Sequence, residues 1–164
     1  MTERHYISEA GYRMLASEVE QLLTVERPRV VNQVAAAAAE GDRSENAEYI
    51  YGKKRLREID KRVEFISKRM DILEVVPQPT SCDKARLLSW IRVELDTGDE
   101  RTFRVVGADE TDAKKDWISW KSPVGRALLG KSVDDEVMIR TPGGQVGYHI
   151  IEIANQPLSA DPVD

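Results

Sequence analysis

The hydrophobic positions of this chain follow two periods, and the change falls near Pro77-Gln78-Pro79-Thr80-Ser81, where two prolines forbid a continuing helix. Before that point Leu56, Ile59, Val63, Ile66, Met70 and Leu73 alternate in steps of three and four, the spacing of a coiled-coil seam. An earlier stretch repeats the idea with Tyr12, Leu15, Val19 and Leu22, then shifts phase to Leu23, Val30, Val34 and the alanine run Ala35 to Ala39. Pro28 is expected to kink this first helix. The alanines favour helix and admit a partner backbone closely, so the pair should be slim at its end. Gly41-Asp42-Arg43-Ser44 lies between the two helices and allows only a tight reversal, which makes them antiparallel. Helices of about 30 residues would each extend roughly 45 Å.

After Cys82 the period becomes two. Trp90 to Leu95 and Thr102 to Val106 read as strands joined through Asp96-Thr97-Gly98-Asp99, and Glu136 to Arg140 and Gly147 to Ile153 as a second pair joined through Pro142-Gly143-Gly144. Between the pairs, Ser122 and Pro123 supply an N-cap and a first helical residue, and Gly130 a stop, for a short helix holding Ala127, Leu128 and Leu129. The expected fold class is therefore α+β. An N-terminal antiparallel α-helical coiled-coil hairpin with its tip spans residues 1–77 and a linker 78–82. A small antiparallel β-sheet domain with one short helix spans 83–155, and a loose tail 156–164.

Composition narrows the function classes. The 164 residues, 41% of them hydrophobic, suffice for one or two small cores. A formal net charge of −5, from Lys+Arg 24 and Asp+Glu 29, offers no global reason for nucleic-acid binding, so any such contact must come from local segregation of charge. Cys82 is the only cysteine, which excludes an internal disulfide framework and a cysteine-rich zinc site. His5 and His149 lie far apart without companion ligands and suggest no metal site. No apolar run approaches the roughly 20 residues of a membrane span, and the start, MTERHYISEAGYR, lacks the apolar core of a signal peptide. The expectation is a soluble cytoplasmic protein without a membrane partner.

The candidate chemistry sits at the turn. Gly41 to Tyr49 places three carboxylates, Asp42, Glu45 and Glu48, within seven residues. Asp42 and Glu45 also have the spacing of a capping box, and acids in a first helical turn are favoured by the helix dipole, so a purely structural reading stands beside a functional one. Ser44 could cap the second helix or orient a water. Glu48 shares a face with Glu45 and could pair with Arg55 or face solvent.

The second helix carries a further pattern. With Leu56 at heptad position a, Lys54, Lys61 and Lys68 fall at f, and Arg55, Arg62 and Arg69 at g. The arginines could flank the seam and pair with glutamates of the first helix, or face phosphates; the lysines point away from the partner helix and favour a phosphate-facing surface. Phe65 and Ile72 stand at outward c positions, where they are expected to receive the second domain, with a partner's surface as the alternative. Trp117 and Trp120 read as core or platform.

The string GDRSENAEY followed by KKRLREID, with ERPRV before the tip and SPVGRALLGK in the second half, resembles the Gre family of bacterial transcript-cleavage factors over nearly the whole chain. The KKRLREID portion is more similar to the GreB branch than to the GreA branch. The resemblance implies a hairpin that enters the secondary channel of RNA polymerase and stimulates cleavage of backtracked RNA, the polymerase and not this chain being the enzyme. It assigns Asp42 and Glu45, with Ser44 as a lesser candidate, to the catalytic tip, where the two carboxylates would share a Mg2+ with the polymerase. Lys54, Arg55, Lys61, Arg62, Lys68 and Arg69 would contact the nascent RNA 3′ segment. Residues 83–155 would adopt an FKBP-like fold that grips a coiled coil of the largest polymerase subunit through Ser122, Pro123 and Arg126. A monomer is expected. Two other readings are a channel-binding regulator without cleavage, against which the intact Asp42 and Glu45 argue, and a prolyl isomerase, against which the lack of an aromatic-rich site pattern argues.

Overall fold

A computed structural model of the chain describes residues 3–41 and 46–158. It divides into two compact units, Tyr12–Leu73 on the one hand and Met1–Gly11 with Glu74–Asp164 on the other. The opening strand thus belongs with the sheet unit, a grouping that the division of the sequence at 78–82 did not include. Of the tail, residues 159–164 lie outside the described residues.

The hairpin unit is built from α1 (Glu9–Gln21), α2 (Arg27–Ala39) and α3 (Ala47–Ile72). Along α3 the seam is as the periodicity predicts: Ile59 and Ile66 are fully buried, with Leu56, Val63, Met70 and Leu73 half-buried between them. The first helix differs from expectation. Leu22–Glu26 is a π-helical segment, in which the Arg27 N–H donates to the Leu22 carbonyl five residues back. The cause is Pro28. It has no N–H to offer Thr24, and its ring would collide with the Thr24 carbonyl in a regular α-turn. Widening the turn by one residue relieves that clash and produces a π-bulge in place of the sharp kink. The extra residue also resets the seam, so that Leu22, Val30 and Ala37 are buried while Leu23, read as part of the seam, and Val25 are exposed.

The sheet unit contains β1 (His5–Ser8), β2 (Leu73–Val76), β3 (Trp90–Leu95), β4 (Glu100–Val106), β5 (Trp117–Ser119), the short helix α4 (Pro123–Leu128), β6 (Glu136–Thr141) and β7 (Gly144–Ala154). β1 and β2 form a two-stranded sheet; the other strands form a five-stranded sheet in the order β5-β4-β3-β7-β6. The two predicted hairpins are present, β3 with β4 and β6 with β7, and β5 adds a parallel partner to β4 that alternation did not reveal. Ile91, Val93, Phe103, Val105, Leu128, Val137, Ile139 and Ile150 make the core. Ile150 and Ile153 are both buried although three residues apart, against strict alternation. A bulge explains it: the β3–β7 register passes from Arg92↔Glu152 to Val93↔Ile150 and leaves Ile151 unpaired.

One buried cation organises this unit. Arg104 lies between the rings of Trp90 and Trp117, with its guanidinium carbon 4.0 and 4.6 Å from the two centroids. It donates to the Leu88 carbonyl (3.3 Å) and to the Gln78 side-chain oxygen (2.9 Å), and burial lowers its pKa from the ordinary arginine value. Trp120 instead packs at 5.3 Å against Tyr6 of β1. The two tryptophans are therefore packing elements, one of them a cation platform. At the start of α1, Ser8 accepts from the Gly11 N–H (2.9 Å) as its cap and donates to Glu110, which also accepts from the Ser8 and Gly107 amides at 3.0 and 3.1 Å.

Candidate functional site

Asp42, Ser44 and Glu45 lie outside the described residues. What frames them is described. α2 ends at Ala39, and α3 begins at Ala47 with Asn46 in extended conformation as its N-cap. The Asn46 side-chain oxygen accepts from the Tyr49 N–H (3.2 Å), and its amide donates to the Ala37 carbonyl (2.7 Å), joining the start of α3 to the last turn of α2. The role of N-cap expected of Ser44 or Asp42 thus falls to Asn46, and a pairing of Asp42 with Glu45 lies outside the described residues. Among the described residues no group of three His, Cys, Asp or Glu side chains could hold a metal ion.

Toward this end the two helices meet through a small buried residue on each. Ala37 is buried on α2, and on α3 the buried residue one heptad before Ile59 is Gly52, which has no side chain to hold the helices apart. A Cβ there would stand 2.5 Å from Cγ2 of Val34. Sequence periodicity passes over Gly52, because the seam pattern counts apolar side chains and a glycine at a seam position contributes none.

Farther along α3 the two basic rows behave differently. Arg55 bonds Glu26 of the π-helical segment (Nε to Oε1 2.7 Å) and Glu58 (3.2 Å), and Arg62 bonds Glu18 of α1 at 2.6 and 3.1 Å. These hydrogen bonds raise the pKa of both arginines, and Arg27 makes the reverse pairing, at 2.9 Å, to Asp60. Arg55 and Arg62 hence flank the seam and tie α3 to the first helix. Such half-exposed pairs contribute on the order of 0–1 kcal/mol each, so their effect is register more than stability. The f lysines are all exposed. Lys68 pairs with Glu64 at 2.8 Å, whereas Lys54 and Lys61 have no carboxylate partner among the described residues. Arg69 is half-buried on the g row. Glu48 is exposed in the first turn of α3, and Lys53 and Arg57 are further exposed cations of α3 outside the two rows.

Phe65 and Ile72, expected to receive the second domain, are each 53% exposed. Tyr51 is exposed to 72% and occupies the same heptad position, an equivalence the c-position spacing contained and the reading stopped short of.

In the sheet unit, Ser122 caps α4 by accepting from the Gly125 N–H at 3.0 Å and donating to the Ser119 carbonyl at 2.6 Å. A side chain on Gly125 would strike that same carbonyl, so the turn into α4 is closely built. Pro123 follows as the first helical residue, and it and Arg126 are exposed on this rigid turn.

Comparison with known proteins agrees with this arrangement. Residues 5–75 match the family model described as transcription elongation factor, N-terminal, and residues 79–155 that of transcription elongation factor GreA/GreB, C-terminal. The transcription elongation factor GreB of Yersinia pestis is 51% identical over 98% of this chain and 95% of its own length; that of Pasteurella multocida is 49% identical over 93% and 98%. Among solved structures, a GreA/GreB transcription elongation factor from Nitrosomonas europaea aligns at 20% identity over 92% of this chain and 99% of its own, with a TM-score of 0.42. The helical hairpin that closes on Asn46, the sheet unit after it and the two matched models together make this chain a member of the GreA/GreB family of transcription elongation factors.

Proposed function

We propose that this protein is a cleavage-stimulating elongation factor that places Asp42 and Glu45 in the secondary channel of bacterial RNA polymerase. The observation that carries the reading is the closure of the hairpin by Asn46, whose amide and carbonyl oxygen cap α3 and join the two helices, so that α3 does not need the carboxylates at the turn. Two carboxylates suit a Mg2+ ion that takes only one or two protein ligands and completes its octahedral shell with water, phosphate and groups of another protein. When bound there, the ion would supply activation of water and stabilisation of the leaving 3′ oxygen in a two-metal site. The chain's own contribution is positional. Asp42 and Glu45, in the segment that joins α2 to α3, would supply negative charge, and Ser44 would orient a water. Lys54, Lys61 and Lys68 attract the phosphates of the extruded RNA 3′ segment, a contact that is blind to sequence and weakened by salt. Arg55 and Arg62 brace the helix through Glu26 and Glu18, and Arg69 on the same row adds to the contact with phosphates. Pro123 and Arg126, on the turn capped by Ser122, grip a coiled coil of the largest polymerase subunit. The factor works as a monomer in the cytoplasm, and the hydrolytic reaction belongs to the polymerase.

The test is a backtracked elongation complex incubated with magnesium and either the native chain or Asp42→Asn/Glu45→Gln. RNA fragment release should slow by about 100-fold, equal to ~2.7 kcal/mol of lost transition-state stabilisation, while binding to the polymerase persists. Equal rates for the two proteins would exclude the proposed role of the tip. Native protein that binds without accelerating release would favour a channel-occupying regulator.

A further inference from the structure

An α-helix turns about 100° per residue, so heptad position c falls between f and g on its surface. On α3 the c row is Tyr51, Glu58, Phe65 and Ile72, lying between the lysine row at f and the arginine row at g. Three of its four members are apolar or aromatic and are exposed: Tyr51 to 72%, Phe65 and Ile72 to 53% each. Isolated exposed apolar residues are ordinary. A row of them at heptad spacing, bordered on both sides by cations, is a different pattern. It combines flat stacking surfaces with a positively charged track, the combination by which proteins hold single-stranded nucleic acid without regard to sequence.

Resting on the reading that the lysine row faces extruded RNA, we infer that Tyr51 and Phe65 are stacking platforms for unpaired bases of that RNA. Charge complementarity selects the occupant. Lys54, three residues from Tyr51, and Lys61, four residues from Phe65, are exposed and without a carboxylate partner among the described residues. The Arg62 guanidinium stands 5.6 Å from the centre of the Phe65 ring while bonded to Glu18, so one face of that ring is already held in place and the ring is oriented before any ligand arrives. Glu58 interrupts the row and is bonded at 3.2 Å to Arg55, which it shares with Glu26 of the first helix. Tyr51 and Phe65 are 14 residues apart, about 21 Å along the axis, or the rise of about six stacked nucleotides at ~3.4 Å each. The nearer platform, Tyr51, therefore meets a short extruded segment, and Phe65 only one longer by about six nucleotides.

The experiment measures the dissociation constant of the fluorescently labelled full chain for backtracked elongation complexes whose extruded RNA runs from about 2 to about 12 nucleotides. It reads binding and so is independent of cleavage. Tyr51→Ala should weaken binding about tenfold (~1.4 kcal/mol) once the extruded RNA reaches the ring. Phe65→Ala should act only on segments about six nucleotides longer, and Tyr51→Phe should bind as the native chain does. Replacing the facing nucleotide by an abasic one should reproduce the loss in the native protein and cause no further loss in Tyr51→Ala. Equal binding of Tyr51→Ala and the native chain at every length would overturn the inference. So would an equal loss of affinity for polymerase lacking extruded RNA, which would make the row a protein-docking surface. Fragment release by the same complexes scores the tip reading separately, since Asp42→Asn/Glu45→Gln should slow release about 100-fold and leave both length dependences intact.

Discussion

Gly52→Ala tests how the two helices of the hairpin approach each other. In isolation the change should help, because alanine is favoured over glycine in a helix interior by about 1 kcal/mol. Here the new methyl group would stand 2.5 Å from Cγ2 of Val34, well inside ordinary contact. Val34 cannot readily turn away, since a helical valine has one strongly preferred χ1 rotamer. Overpacking of this kind costs typically ~1–3 kcal/mol. Taking about 2 kcal/mol for the clash and subtracting the propensity gain, Gly52→Ala should destabilise the hairpin by about 1 kcal/mol. With Val34→Ala already present the clash is gone, and the same substitution should stabilise by about 1 kcal/mol. The sign reversal amounts to a coupling energy of about 2 kcal/mol between two residues in contact. Urea unfolding of the four proteins, followed by helical circular dichroism, measures it. A Gly52→Ala effect of the same sign and size in both backgrounds would refute the reasoning and return the approach of the two helices to the alanine run alone.

Asn46→Ala should cost the hairpin about 2 kcal/mol, roughly 1 for the lost cap and roughly 1 for the bond to the Ala37 carbonyl, whereas Asn46→Ser, which keeps the cap, should lose about half of that. Denaturation within ~0.3 kcal/mol of the native protein would contradict the role given to Asn46. In the segment before β3, the Ser81 hydroxyl and then the Arg86 guanidinium hold the Asp83 carboxyl down from 3.8 to about 2. A depressed carboxylate stabilises the fold above its unfolded pKa, and that contribution fades as the pH falls from about 4 to about 2. An NMR titration of the Asp83 carboxyl should find the low midpoint, and Ser81→Ala should raise it; an ordinary midpoint in the native chain would show that the three groups do not act together.

Much of the architecture was legible because it depends on side-chain periodicity alone. The three-and-four alternation from Leu56 to Leu73 determines which face of α3 is buried wherever the partner helix comes from, and Ile59 and Ile66 are fully buried as it requires. The strand pairs and the Ser122-Pro123 helix start were equally local, since turn residues and caps act within a few positions. The two basic rows on α3 were visible as spacing, but not the division of labour between them. That depends on which glutamates the first helix brings across, and a π-bulge caused by Pro28 sets its phase. Alternation likewise could not reveal the parallel pairing of β5 with β4, or the Arg104 cation between Trp90 and Trp117, because such contacts join residues whose separation along the chain carries no period. The sequence by itself determined the faces, the turns and the kinds of residue at the tip. Only the tertiary structure decided that Asn46 is the cap, that Gly52 sets the helix spacing and that Tyr51, Phe65 and Ile72 stay exposed between the charged rows. The physical reason is that a cap, a close approach and an exposure are properties of pairs of segments, fixed by where the second segment comes to lie.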